Sequence, residues 1–444
     1  LRRLPVAVAL CLALLAPWPA RAQRFPADTF TLDNGLQAVV LPNHRVPAVT
    51  LMVWYKIGAA DDPQGKSGIA HFLEHLMFKG TATVAPGEFA AQIARIGGRE
   101  NAFTTEDYTA FYETVPRDRL DLVMRLEADR MTGLKLADNV VLPEREVVLE
   151  ERRTRIDNQP ASLLAEQLRA ATYLHDPYHN PAIGWEIEIR QLGTEDALAF
   201  YRSWYAPNNA ILVVAGDVAT DEVRALAGRY FAAIPARPLA PRLRVGEPEH
   251  HAAARVEMKS ARVSQPSWSR AWLAPSYRVG DTRQVHALQL LAQILGGGAN
   301  SRLYQGLVLG RGIAVSAGAG YDPGALDLTT LQVYAAPKPG VAVADLEAAV
   351  EAEVKRLLRD GVDADEVRRA EERMQAAVIY ERDSLSGAAN IVGAALAIGR
   401  TLDDVEAWPE RIGAVTAAEI DAAARAVLIE RNEATGILLP EPTS

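Results

Sequence analysis

Residues 71–75 read His71-Phe72-Leu73-Glu74-His75. The surrounding stretch, Ile69 to Phe78, has helical periodicity and stops near Gly80. On a helix, positions 71, 74 and 75 are spaced i, i+3, i+4 and project from one face. Two imidazoles one turn apart can grip one zinc ion, and the carboxylate beside them can take a proton from a water activated there. The order H-x-x-E-H reverses the commoner H-E-x-x-H arrangement. Phe72, Leu73, Leu76 and Met77 make the helix apolar over much of its circumference, so His71 and His75 should be partly buried and in need of partners.

A catalytic zinc site takes a third protein ligand, which the fold must bring from elsewhere. Acidic residues crowd a helix expected over 139–156: Glu144, Glu146, Glu150 and Glu151. Glu144 and Glu151 lie two turns apart and share a face with Val147 and Val148, which makes them the better candidates. Glu146 and Glu150 read as a solvated face balanced by Arg145, Arg152 and Arg153.

The chain has 444 residues, too many for one ordinary core. With 49% hydrophobic and 23% charged residues it is globular and not disordered. A formal charge of −9 leaves no excess of cations for nucleic acid. Arg2, Arg3, the apolar run 6–16 and Ala20-Arg21-Ala22 form an export-signal pattern with cleavage before Gln23. Cleavage there would remove Cys11, the only cysteine, which suits an oxidising compartment. No later segment reads as a membrane span.

The chain reads as two passes through a similar order of elements. The first pass has strands around the Asn34-Gly35 turn, over 49–55 and over 101–114, helices over 117–131 and 194–205, a buried strand over 210–218 and a helix over 220–234. Residues 235–251 are rich in Pro, Arg and Glu and lack periodicity. The second pass has strands over 268–273 and 326–336, and helices over 285–295, 341–359 and 364–382. The position of 70–80 in the first half resembles that of 287–297 in the second. The resulting division is a signal peptide over 1–22, an N-terminal metal-binding domain over 23–240, a linker over 241–260 and a homologous domain over 261–444.

Other features read blandly. No Lys-Ser/Thr follows Gly296-Gly297-Gly298, so it is a helix stop and turn, not a phosphate loop. Asp176-Pro177 breaks any helix that would join His175 to His179. His250 and His251 read as solvated linker residues, and Trp185, Trp204 and Trp268 as core.

The stretch from His71 to Thr81 resembles the pitrilysin, insulin-degrading enzyme and mitochondrial processing peptidase family of zinc peptidases. So do Asn101-Ala102-Phe103-Thr104, the segment 205–210, Gly216-Asp217-Val218, the segment 296–304 and the helices after Ala364, together covering roughly 30–427. The resemblance implies an α+β fold of two homologous domains, each a mainly antiparallel β-sheet packed with α-helices. It implies one zinc ion per chain on His71, His75 and Glu151, with Glu74 as base and Glu144 supporting a ligand. It makes Asn101, Ala102 and Phe103 the edge strand to which a peptide substrate adds. A chain of this length is similar to short members that assemble from two chains. The family's Arg and Tyr in the second domain fall on Val308 and Val315 here, so neither position offers a cation or hydroxyl. Arg311 and Tyr321 are off register. The expectation is a zinc metalloendopeptidase acting on unfolded peptides in the cell envelope, completed by a homologous subunit that supplies the Arg/Tyr pair. The alternatives are a self-sufficient homodimer and a zinc-binding scaffold.

Overall fold

The computed structural model of the protein describes residues 27–441; the expected signal peptide lies outside them. Two sheets organise the chain. The first holds β1 (Asp28–Thr31), β2 (Gln37–Pro42), β3 (Ala48–Tyr55), β4 (Arg99–Thr104), β5 (Thr109–Pro116) and β6 (Ala210–Gly216), in the order β1-β2-β6-β3-β5-β4. The second holds β7 (Ala254–Ser260), β8 (Ser267–Ala274), β9 (Ala314–Tyr321), β10 (Thr329–Pro337) and β11 (Glu433–Pro440), in the order β7-β11-β8-β10-β9. With β1 set aside, the two orders are the same permutation of chain order. Each has one parallel pair, β2 with β6 and β7 with β11, and otherwise antiparallel pairing. The helix Ile69–Leu76 after β3 and the helix Val285–Gly296 after β8 occupy equivalent places, which is the physical content of the weak internal repeat.

Burial follows strand position. β6, at the middle of its sheet, is buried at every residue and reads Ala-Ile-Leu-Val-Val-Ala-Gly, the apolar run of a strand covered on both faces. β4, at the edge, has no buried residue, and one side of its backbone pairs with no strand among the described residues. Leu51, Val53, Tyr55 and Phe111 pack with Ile69, Phe72, Leu73 and Leu76 in one core. The opposite face, with Met52, Trp54, Ile211 and Val213, is covered by Ala389, Val392 and Leu396 of the helix Leu385–Ala397. That helix belongs to the second half of the chain. In return, Leu164 and Leu168 of the helix Pro160–Thr172 come within about van der Waals reach of Gly436 on β11. Each half thus covers part of the other's sheet.

Two expectations need correction, the strand over 101–114 and the solvated His250. The strand expected over 101–114 is a hairpin, because Thr105 Oγ1 accepts from the N–H groups of Asp107 and Tyr108 and turns the chain between β4 and β5. The segment 241–260, read as a linker, ends in β7, and its Arg242 and Arg244 pair with Asp61 and Asp107, while Arg244 also reaches Asp327 in the second half. His250 is buried and lies 2.7 Å from a Glu247 oxygen, so it is not solvated. Trp268 is core as expected, whereas Trp185 and Trp204 are only half-buried. Among the described residues, no helix is long and apolar enough to cross a membrane.

Candidate metal centre

The helix Ile69–Leu76 is held at its start by two devices. Asp62 accepts from the N–H groups of Gly68 at 2.6 Å and Ala70 at 3.1 Å, satisfying free donors of the first turn. Gly68 then adopts φ +87° and passes against Gly184, where a Cβ on either residue would lie 2.4 Å from a backbone oxygen. Arg152, at the end of the helix Asp138–Arg152, donates to the Gly184 carbonyl at 2.8 Å and so ties the two helices together.

This arrangement brings His71, His75 and Glu151 together. One ligand atom from each lies within 4.8 Å of the others, and no second such cluster occurs among the described residues. Glu151 Oε2 stands 3.1 Å from His75 Nε2 and 3.7 Å from His71 Nε2. Apart from these two imidazoles, this buried oxygen meets no hydrogen-bond donor among the described residues. Two imidazole nitrogens and an unsatisfied carboxylate oxygen facing one another are the donor set and spacing of a zinc grip, so the residues fit the ion.

The partners of these groups are equally defined. His75 Nδ1 lies 3.0 Å from Glu144 Oε1, and Glu144 Oε2 lies 2.5 Å from Lys79 Nζ. A carboxylate on the outer nitrogen fixes the ring's orientation. Glu151 Oε1 meets the Arg155 guanidinium at 2.5 Å. Glu74 is buried beside the ligands and accepts a 2.6 Å hydrogen bond from Thr104 Oγ1 on β4. Glu146 and Glu150 are exposed, as read from the sequence, but Val147 is exposed too, so the apolar stripe beside the acids is Val148 with Leu149.

The electrostatics follow burial and pairing. Burial, with His75 adjacent, lowers the His71 pKa to about 4, so this imidazole is neutral and able to ligate. Burial pulls His75 the same way, but Glu144 and Glu151 outweigh it and raise its pKa to about 9. Burial raises Glu74 above the ordinary carboxylate range, partly offset by Thr104. Glu151 is lowered chiefly by His75. Burial opposes the same change at Glu144, where His75 and Lys79 prevail and lower it.

Asn101, Ala102 and Phe103 lie on β4, one sheet position from β5 and with nothing paired beyond. Val308 is half-buried, and Val315, 46% exposed, lies on β9 at the edge of the second sheet. Arg311 and Tyr321 are engaged in their own half, with Glu353 and with the Pro275 carbonyl. His175 is exposed, and the ring Nδ1 of His179 lies 2.7 Å from the Asp176 carbonyl oxygen. Thr104 and Lys79 lie in stretches that resemble the family but had no role assigned from sequence, and Arg155 was not singled out. Arg155 had a usable signal, since it follows Glu151 by four on a helix. Thr104 had none, because its partner is thirty residues away.

Residues 38–185 match the domain family described as Insulinase (Peptidase family M16), and residues 191–374 match the one described as Peptidase M16 inactive domain. The chain is 34% identical over 312 residues to the zinc protease PqqE of Helicobacter pylori, covering 69% of each chain. It is 31% identical over 414 residues to an uncharacterized zinc protease of Mycobacterium leprae, covering 90% of this chain and 89% of that one. A solved structure of a protease from Helicobacter pylori superposes with a TM-score of 0.87 at 28% identity, over 93% of this chain and 99% of that one. The first half of the periplasmic protease PqqL from Escherichia coli shares the fold at a TM-score of 0.78 and 20% identity, over 94% and 92%. The chain belongs to the insulinase family of peptidases, peptidase family M16.

Proposed function

We propose that this chain is a zinc metalloendopeptidase subunit that hydrolyses unfolded peptides or protein fragments in the cell envelope, and that it is the catalytic half of a heterodimer. The observation that carries this reading is the meeting of His71, His75 and the orphaned Glu151 oxygen beside the buried Glu74. The names of the relatives, zinc proteases and a periplasmic protease, support it. The export signal over 1–22 and the division into domains at 23–240 and 261–444 are part of the same proposal.

One zinc ion per chain on His71, His75 and Glu151 would supply Lewis acidity and bring the pKa of water toward about 7. Glu74 takes the proton of the attacking water and passes it to the leaving amine nitrogen. Thr104 keeps that carboxylate in place, and Glu144 with Lys79 holds the His75 ring. A peptide adds to the open edge of β4 along Asn101, Ala102 and Phe103, so its backbone is read more than its sequence.

A second reading is supported by Val308 and Val315, which bring neither cation nor hydroxyl from the second half. On it, the chain is a zinc-binding structural subunit without peptidase activity of its own. The test is hydrolysis of a quenched unstructured peptide by the purified chain with its zinc quantified, alone and mixed with a homologous subunit. Activity only in the mixture supports the heterodimer, and activity alone supports a homodimer. Glu74→Gln that keeps zinc and still hydrolyses would overturn the assignment of the base.

A further inference from the structure

The helix that carries the candidate ligand Glu151 in its last turn runs directly into a π-helical turn, Arg153–Asp157. Such turns re-aim side chains and recur at functional sites. Three arginines follow Glu151 here, and they differ in what they do. Arg152 is buried against Glu166 and the Gly184 carbonyl. Arg153 turns away to Glu150 at 2.7 Å. Arg155 turns toward the metal centre and meets Glu151 Oε1 at 2.5 Å.

Arg155 is nonetheless 72% exposed, and Glu151 is its one ion-pair partner among the described residues. A guanidinium has five N–H donors in a planar fork, and at this exposure part of the fork faces solvent beside Glu151. Lys79, the other cation paired with a carboxylate of this centre, is 32% exposed and faces Glu144. The carboxylates of the centre itself are Glu74, Glu144 and Glu151, of which Glu144 is taken by Lys79 and His75. The charge of Arg155 is also felt at His71 and Glu74, the other members of the cluster.

We propose that Arg155 is a specificity-determining residue that selects peptides carrying an acidic side chain close to the scissile bond. This rests on the peptidase reading, since a peptide paired to β4 must pass the metal centre to bring such a side chain to Arg155. The peptide carboxylate accepts from the outer guanidinium N–H groups while the inner nitrogen stays on Glu151. Elsewhere along the peptide, backbone pairing to β4 remains indifferent to sequence.

The test measures binding. Labelled unstructured peptides in which one Glu is moved stepwise along a Gln background are titrated by anisotropy against the full zinc-loaded chain carrying Glu74→Gln. At one or two registers the Glu peptide should bind about fivefold tighter than the all-Gln peptide, the scale of an exposed charge pair. That preference should shrink at about 0.5 M salt, disappear with Arg155→Gln and largely return with Arg155→Lys. No preference at any register, or one that Arg155→Gln leaves intact, overturns the proposal. Hydrolysis of the same peptides by the unmutated chain is scored separately. Preference in binding without any hydrolysis, by the chain alone or mixed with a homologous subunit, would sink the peptidase reading and leave Arg155 as a site that binds acidic peptides.

Discussion

Thr104 Oγ1 donates a 2.6 Å hydrogen bond to Glu74 Oε2 and so links the open edge strand to the helix that carries both histidines. The bond gives Glu74 a fixed orientation inside a buried pocket. Thr104→Val keeps the side-chain shape and removes the donor. The expected result is a fall of about tenfold in kcat with KM within about twofold, and near-complete recovery in Thr104→Ser. A rise in KM with kcat intact would mean that the hydroxyl serves the placement of β4 and not Glu74.

Glu144 and Glu151 both contact His75, but from opposite ring nitrogens, and the two should separate experimentally. Glu144→Ala leaves three ligands and loosens one ring, so zinc affinity should drop about 10- to 100-fold. Glu151→Ala removes a ligand and should cost more. Zinc should also raise the melting temperature of the unmutated chain, because it binds the folded state alone, and chelation should reverse this. Competition with a chromophoric chelator and thermal melts check both. Equal affinity in the two variants would remove Glu151 from the ligand set.

The metal helix was legible because everything it needs is local: three polar residues on one face, apolar residues around the rest, and Gly80 after it. Glu144 and Glu151 were legible as a pair through their two-turn spacing, although Val147 proved to lie outside the apolar stripe. The hairpin at 105–108 was missed because its turn is made by a Thr side chain and contains neither Gly nor Pro. The strap of Arg242 and Arg244 was missed for a different reason. Its composition is that of a solvated loop, and only the fold supplies the buried Asp61, Asp107 and Asp327 that these arginines meet. The exchange of helices between halves left no trace in local sequence, since an apolar helix face does not say which sheet it will cover.

That junction should respond to pH. Asp176 is buried, accepts from Tyr178 N–H at 2.9 Å and lies near Asp327, Arg244 and Glu247. Burial raises its pKa from 3.8 to about 7, with Asp327 adding to this and Tyr178 N–H and Arg244 opposing it. The folded chain therefore keeps a proton that the unfolded chain releases near 3.8, and the associated stability is lost as pH rises toward about 7. Asp176→Asn can still accept from Tyr178 but does not titrate. Relative to the unmutated chain it should gain stability at about pH 8 and show no such gain at about pH 4 in urea unfolding. A mutant difference that does not change with pH would show that Asp176 is ionised throughout.

Gly393 tests the exchange itself. It sits in the helix Leu385–Ala397, where a Cβ would lie 2.1 Å from Trp54 Cε2 on β3. Trp54 is buried and packs edge-on against Phe103 and Tyr108, with ring centroids 5.4 and 5.2 Å away, so it has little freedom to retreat. In a solvent-facing helix Gly→Ala would gain about 1 kcal/mol of helix propensity. Here the clash should outweigh that gain, and Gly393→Val should cost about 3 kcal/mol by overpacking. Because the affected sheet contains β3, β5 and β4, the damage should reach the metal-bearing half although the change lies in the second half. Trp54→Phe removes the ring atoms that collide, so the double variant Trp54→Phe, Gly393→Val should be more stable than the sum of the two single effects. Urea unfolding of the four proteins gives the coupling directly. Simple additivity would mean that the helix does not rest on Trp54 and that the two halves are held together elsewhere.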